Sequence, residues 1–344
     1  MKNHQNISFQ ICTIPGALLG DSMNKPSVNI LIFTYNQESF VKETIESVLN
    51  QSYENITKII IADDGSTDNT PKIINEYARN NPSIVPILAK KNMGIAYNMN
   101  RALKRVEGEY VSFLDGDDLM NIQKIQKQVN YLNENLDFVA CAHDMNVFDS
   151  CKKEFKGKYS KIINFKKIVS PISVKAIFDP SLLICPSSIM YRSKIIPVEG
   201  LDNRLKYWYE FLFIVEVLMN GDMGFIDEIL GIYRLHGSNV TSSDDFKKLG
   251  FENSLMVYSI IISRYPELYA QVKKRKSITY FAKILQCIRE GDNENAKNIS
   301  KGLISNGNFL KGLTAYLASF LFNEGRVEKL YQNRRLLKLF LKFI

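Results

Sequence analysis

The segment Tyr110-Val111-Ser112-Phe113-Leu114-Asp115-Gly116-Asp117-Asp118 joins an apolar run of strand length to three carboxylates within four residues. A short continuous apolar run bounded by turn residues is the pattern of a strand covered on both faces. Carboxylates crowded this closely repel one another and are costly to desolvate. A hard cation, Mg²⁺ or Mn²⁺, removes that cost and prefers such oxygen ligands, with phosphate completing its shell. The tetrad by itself reads equally as a solvated turn in which Asp118 caps the next helix.

Outward from this segment the pattern repeats. Residues 28–33, 58–62 and 84–89 are further strand-length runs, and 138–141 is another. Between them, residues 38–50, 68–79, 95–106 and 122–133 carry apolar side chains at helical spacing. Strands alternating with helices predict an α/β domain with a mostly parallel sheet and helices on both faces. Ligands of such sheets bind outside the carboxyl ends of the strands. Three of those ends are polar: Thr34-Tyr35-Asn36, Asp63-Asp64-Gly65-Ser66 and Asp115–Asp118, which are expected to converge on one edge. In the second, Thr67 or Asp68 reads as a helix N-cap, and one carboxylate as an acceptor for a base imide or ribose hydroxyl. Neither GxGxxG nor GxxxxGK[ST] is present, so dinucleotide-binding and P-loop readings lose their main support.

Length and composition agree with a globular chain. It has 344 residues, 45% hydrophobic and 23% charged, which excludes disordered, collagen-like and coiled-coil classes. Apolar runs fall short of the ~20 residues that span a membrane. Five scattered cysteines without a CxxC pair argue against a zinc cluster or disulfide framework and for a reducing cytoplasm. The net charge of +8 is uneven: residues 273–344 hold 15 Lys/Arg against 5 Asp/Glu, and the remainder is slightly acidic. No zinc-finger spacing or RNA-recognition signature supports nucleic acid. The basic tail is therefore expected at an anionic membrane surface, with residues 326–344 as an amphipathic helix, or else as an ordinary terminal helix packed on the domain.

The expected organisation has three parts. Residues 1–25 form a poorly ordered N-terminal extension, with Met23 resembling a natural start. Residues 26–245 form the α/β domain, including a helix at 204–220 and a strand at 224–233. Residues 246–344 are helical and basic, with a hairpin turn at 289–292.

The order of four motifs across residues 28–118, including Asn92-Met93-Gly94 with Asn100, resembles a family 2 glycosyltransferase of GT-A fold. A weaker similarity continues through Tyr233-Arg234-Leu235-His236. The resemblance implies an inverting enzyme with a nucleotide-diphosphate sugar donor, UDP-sugar foremost, and Mn²⁺ or Mg²⁺. The implied acceptor is a glycan or a lipid-linked molecule, in bacterial surface polysaccharide assembly. By position, Phe33 and Tyr35 flank the base, Asp64 bonds it, and Gly94 joins the nucleotide side. Asp115 faces ribose or metal, and Asp117 ligates the metal. His236 completes the metal shell or contacts the diphosphate with Arg234, or else caps a loop. Many members carry proline at position 33, and an aspartate where counting back from Gly221 places Glu210. Glu210 is the candidate base, in a first helical turn whose dipole favours the ionised form. Glu216 is a weaker candidate. Two alternatives compete: a catalytically inactive nucleotide-sugar-binding scaffold, and a sugar-nucleotide nucleotidyltransferase, whose glycine-rich basic loop is absent.

Overall fold

The computed structural model describes residues 25–162, 167–197, 200–237, 239 and 244–305. The N-terminal extension and the 326–344 helix lie outside the described residues, apart from Lys25.

Strand β1 (Val28–Thr34) is buried along its whole length and lies inside the sheet, paired on both sides. Its side chains alternate between two cores, as a strand's must. Leu31 and Phe33 enter one core with α3 (Ile95–Leu103), while Ile30 and Ile32 enter the other with α1 (Val41–Leu49) and α2 (Thr70–Asn80). Strands β2 (Ile56–Asp63) and β4 (Tyr110–Asp115) flank β1 in parallel, and β3 (Ile84–Leu88) extends β2. Asn29 is the polar exception inside β1. Its amide donates to Thr57 Oγ1 at 2.8 Å and accepts the Glu107 and Gly108 N–H groups at 2.7 and 2.9 Å, so its burial leaves nothing unsatisfied.

Beyond β4 the sheet departs from the mostly parallel expectation. After β3-β2-β1-β4 come β8 (Met190–Arg192), β6 (Phe138–Asp149), β9 (Asp222–Leu235) and β5 (Leu119–Met120), in that order, with β7 (Glu154–Lys158) paired to β6. Short β8 runs antiparallel to both β4 and β6. β6 and β9 are parallel, while β5 is antiparallel to β9. The reason is the connection: the described parts of 150–189 hold β7, the one-turn helix α5 (Tyr159–Ile162) and short 3-10 turns rather than a long crossover helix, so β8 enters in reverse.

β6 continues well past Cys141, because its polar residues His143 and Asp144 are buried partners of backbone and Ser160 rather than a turn. The helix expected at 204–220 is α6 (Tyr209–Leu218). Trp208 has φ +65°, a left-handed conformation that ends backward helix growth. Asn253 Oδ1 accepts the Lys206 and Tyr207 N–H groups instead.

Helix α4 (Lys124–Glu134) covers the face shared with α1. Helices α7 (Asp244–Arg264), α8 (Tyr269–Arg289) and α9 (Asn293–Ser305) follow β9. The α8–α9 turn at Gly291 matches the expected hairpin. A boundary at residue 245 has no counterpart in packing. Val257, Tyr258, Ile261, Leu268 and Val272 enter the sheet core, and a separate core begins only at Phe281.

Candidate functional site

The loop after β4 is held from below. Gly116 donates its N–H to Phe33 O at 2.9 Å, and a Cβ there would lie 2.2 Å from Gln37 Oε1. Thr44 Oγ1 sits 2.9 Å from the Gly116 and Asp118 carbonyl oxygens. Asp118 is not a helix cap: Gln123 precedes α4, and the buried Asp118 carboxylate accepts the Arg234 N–H at 3.0 Å. Burial, with Asp117 nearby, pushes its pKa up to about 8. Asp115 is raised well above the usual range by burial, then by the charges of Asp118, Asp117 and Glu210. A carboxyl held up by neighbouring negative charge is one that a bound cation would ionise.

Lys124 and Ser187 belong to this site and had no motif to announce them. Ser187 Oγ accepts the Asp115 N–H at 3.0 Å. Lys124 Nζ donates to Ser187 O at 2.7 Å, with Ser112 Oγ at 3.1 Å. The lysine is fully buried, and that burial lowers its pKa to about 7. Ser187 lies in the irregular segment, and a lysine in a helix's first turn looks like solvated surface. The third missed element is Glu43, which pairs with Arg234 Nη2 at 2.6 Å. Arg234 also lies 5.5 Å from the Phe40 ring centre, so its guanidinium is engaged by protein groups rather than held for a diphosphate.

His236 Nε2 lies 2.9 Å from Asp117 Oδ2, and its ring stacks on Phe40 at 4.4 Å. Asp115 does not complete a triad with them: among the described residues, no group of three His, Cys, Asp or Glu is arranged to hold a metal ion.

The neighbouring strand ends are bolted together. Asp63 is fully buried and accepts hydrogen bonds from Thr34 Oγ1 and from the Ser66 N–H and hydroxyl. Asp68 accepts the Glu38 and Thr70 N–H groups, with Asn69 in the N-cap position. Asp64 is 3% exposed, and its two oxygens accept the Met93 and Gly94 N–H groups, each at 2.9 Å. Burial raises its pKa, and those two bonds oppose the rise. Gly94 begins α3 at φ +91°, a conformation that side chains resist. Asn100 does not face this loop. It exchanges hydrogen bonds with Leu201 and donates to Asn203, clamping α3 to the segment before α6. Tyr35 is 45% exposed at the mouth of this edge. Phe33 is not beside it: its ring is core, edge-on to Phe113 at 5.5 Å. Position 33 points inward because alternation along β1 sends its side chain to the α3 side.

Glu210 lies in the first turn of α6, half-buried, and accepts the Tyr209 hydroxyl at 2.6 Å. Burial raises its pKa, and it is close enough to Asp115 to raise that group in turn. Glu216 is 3% exposed and ion-paired with Arg264, a packing role.

Residues 29–196 match the family described as Glycosyl transferase family 2. The uncharacterised glycosyltransferase MJ1057 of Methanocaldococcus jannaschii is 29% identical over 62% of this chain and 72% of its own length. TuaG of Bacillus subtilis, named for teichuronic acid biosynthesis, is 37% identical over 32% of this chain and 43% of its own. The crystal structure of S. aureus TarS 1–349 superposes with a TM-score of 0.59 at 18% identity, covering 89% of this chain and 91% of that one. Motif order, sheet architecture and these similarities agree: residues 29–196 form a glycosyl transferase family 2 domain, and the fold is GT-A.

Proposed function

We propose that the protein transfers a sugar, with inversion, from a nucleotide-diphosphate donor to an acceptor hydroxyl. The observation that carries this is the convergence of Asp115, Asp117, His236 and Glu210 at one sheet edge. TarS has been crystallised with UDP and with UDP-GlcNAc, which favours a UDP-sugar donor here.

Tyr35 offers an exposed ring for the base. Asp64 acts mainly by holding the Met93–Gly94 backbone in place, and the base contact falls to its remaining lone pairs. Asp117 and His236 would hold a Mn²⁺ or Mg²⁺ ion through an oxygen and a nitrogen donor. Such an ion would neutralise the charge of the leaving diphosphate. Asp115, held by Ser187, is the further carboxylate beside that position. Glu210 takes the proton of the acceptor hydroxyl. That oxygen attacks the anomeric carbon from the face opposite the leaving group. The bond to the diphosphate oxygen breaks with its electron pair, through a transition state of oxocarbenium character.

Bacterial surface-polysaccharide assembly, with a glycan or lipid-linked acceptor, is the setting we propose. The basic tail would meet an anionic membrane there. Among the described residues, no helix is long and apolar enough to cross a membrane. The test is a thermal-shift screen with Mn²⁺ across UDP-, GDP- and dTDP-sugars, followed by assay of nucleoside diphosphate release. Saturating donor should stabilise the fold by a few kcal/mol. Absence of any shift or turnover would reject the donor reading.

A further inference from the structure

A cavity of about 650 Å³ opens away from the carboxylate loop, and none of the motifs accounts for it. Its volume is within the range of ligand sites. Three separate stretches build it: the segment around Lys167 and Lys175, the turn carrying Ser181, and the start of α8 with Gln271 and Lys274.

The wall chemistry is unusual for a structural gap. Lys274 comes from a position about a hundred residues beyond Lys167 and Lys175, and among the described residues none of the three is ion-paired. Lys167 is near enough to Asp227 to act on it, but that carboxylate is bonded to Lys158 Nζ at 3.0 Å. Asp179 is the one acid in the wall, and its Oδ1 accepts the Ser181 N–H at 2.9 Å and the Ser181 hydroxyl at 2.6 Å. The cavity thus keeps a positive excess. Independently, Gln271 Oε1 is buried there without a hydrogen-bond partner. A buried acceptor left unpaired costs free energy, which turning the amide toward a ligand donor in the cavity would relieve. Lysines that meet an anion and an amide that turns to meet a donor together describe a ligand with both an anionic group and hydroxyls.

One wall residue links the cavity to α6: Phe178 packs edge-on against Phe211, ring centres 5.3 Å apart, and Phe211 follows Glu210 directly. A ligand seated against Phe178 therefore lies one aromatic contact away from the helix whose first turn carries the candidate base.

We infer that this cavity binds an anionic carbohydrate, a phosphate- or carboxylate-bearing stretch of the acceptor, through Lys167, Lys175, Lys274 and Gln271. The acceptor assignment rests on the glycosyltransferase reading above, whereas binding itself does not.

The test uses the full chain and three fluorescent maltooligosaccharide-length probes in anisotropy titrations: a phosphorylated oligosaccharide, an oligogalacturonate and an unmodified neutral one. At least one anionic probe should bind, more weakly as salt rises, and the neutral probe should not. Whichever anionic probe binds better identifies phosphate or carboxylate as the recognised group. The triple variant Lys167→Gln, Lys175→Gln, Lys274→Gln should bind that probe about tenfold more weakly or worse, with its melting temperature unchanged. Gln271→Leu should weaken the oligosaccharide but leave inorganic phosphate unaffected. UDP-GlcNAc binding, measured in parallel, reports the donor reading separately. Donor binding with no anionic-probe binding, or anionic binding that survives the triple variant, overturns the inference. Anionic binding lost in the triple variant, without any donor binding, sustains the cavity and rejects the donor reading.

Discussion

His236 and Asp117 are 119 positions apart in sequence, yet Nε2 and Oδ2 meet at 2.9 Å. Two residues before His236, the Arg234 N–H donates to Asp118 Oδ1 at 3.0 Å. The end of β9 is thereby joined to the loop after β4 at two points. The imidazole is fixed further by stacking on Phe40, and Phe40 also carries the Arg234 guanidinium. The pair is preorganised before any ligand arrives, as the diphosphate site proposed above requires.

Asp117→Asn should weaken Mn²⁺-dependent donor binding by at least roughly tenfold. The fold should be unaffected, because Asp117 is held by His236 and not by the core. Calorimetric titration with UDP-GlcNAc, with and without Mn²⁺, reads this directly. Full Mn²⁺-dependent activity in the variant would remove the loop from any metal role.

Glu210→Gln should lower turnover by about 10²–10⁴-fold while donor affinity is kept. Since burial raises the Glu210 pKa above the ordinary carboxylate value, wild-type kcat should fall with decreasing pH through a midpoint higher than that value. The residual rate of the variant should lack this limb. A variant with the same acidic limb would place the base elsewhere.

Lys124→Met tests the buried ammonium under Ser187. Its pKa is lowered from 10.5 to about 7 in the native state. Between those values the unfolded chain holds a proton that the folded chain has lost. Native stability relative to the Met variant should therefore rise with pH from about 7 to 10, on the order of 1 kcal/mol per pH unit. Below pH 7 both states are protonated and the difference should be flat. Urea denaturation of both proteins across pH 6–10 measures it. Parallel curves would mean that the lysine stays charged when folded.

Gly116→Ala should destabilise the protein by about 1–3 kcal/mol through overpacking. The added Cβ meets Gln37 Oε1 at 2.2 Å and Phe33 O at 2.9 Å. Gly237→Ala is the control, since a Cβ there meets nothing within 4 Å. Equal melting temperatures for the two variants would contradict the close approach.

The proposed tail interaction is tested with vesicles. The full chain should pellet with anionic vesicles and not with neutral ones, less so as salt screens the charges. Replacing Arg334, Arg335, Lys338 and Lys342 with glutamine should release it without altering donor hydrolysis. Equal binding to neutral vesicles would dismiss the electrostatic part.

What sequence could reveal was whatever is local. The strands β1 to β4 and their helices follow from apolar period and length, because each is a short-range pattern. The acidic loop at Asp115–Asp118 stands out because three carboxylates within four residues demand a reason, and Glu210 is proposed only by carrying the family resemblance back from Gly221.

Only tertiary structure decided which polar residues are partners. Phe33 became core because it lies within β1 on the α3 side, and Tyr35 stayed exposed because it lies past the end of the strand, outside the covered sheet. Asp118 went from cap to buried acceptor because β9 passes beside it. Lys124 and Ser187 support Asp115 through bonds spanning 63 and 72 positions, and no local period encodes contacts of that range. The antiparallel entry of β8 and the merging of α7 with the sheet core have the same origin. Each depends on where an irregular connection returns the chain, and that is set by the packing of the whole domain rather than by any residue in the connection.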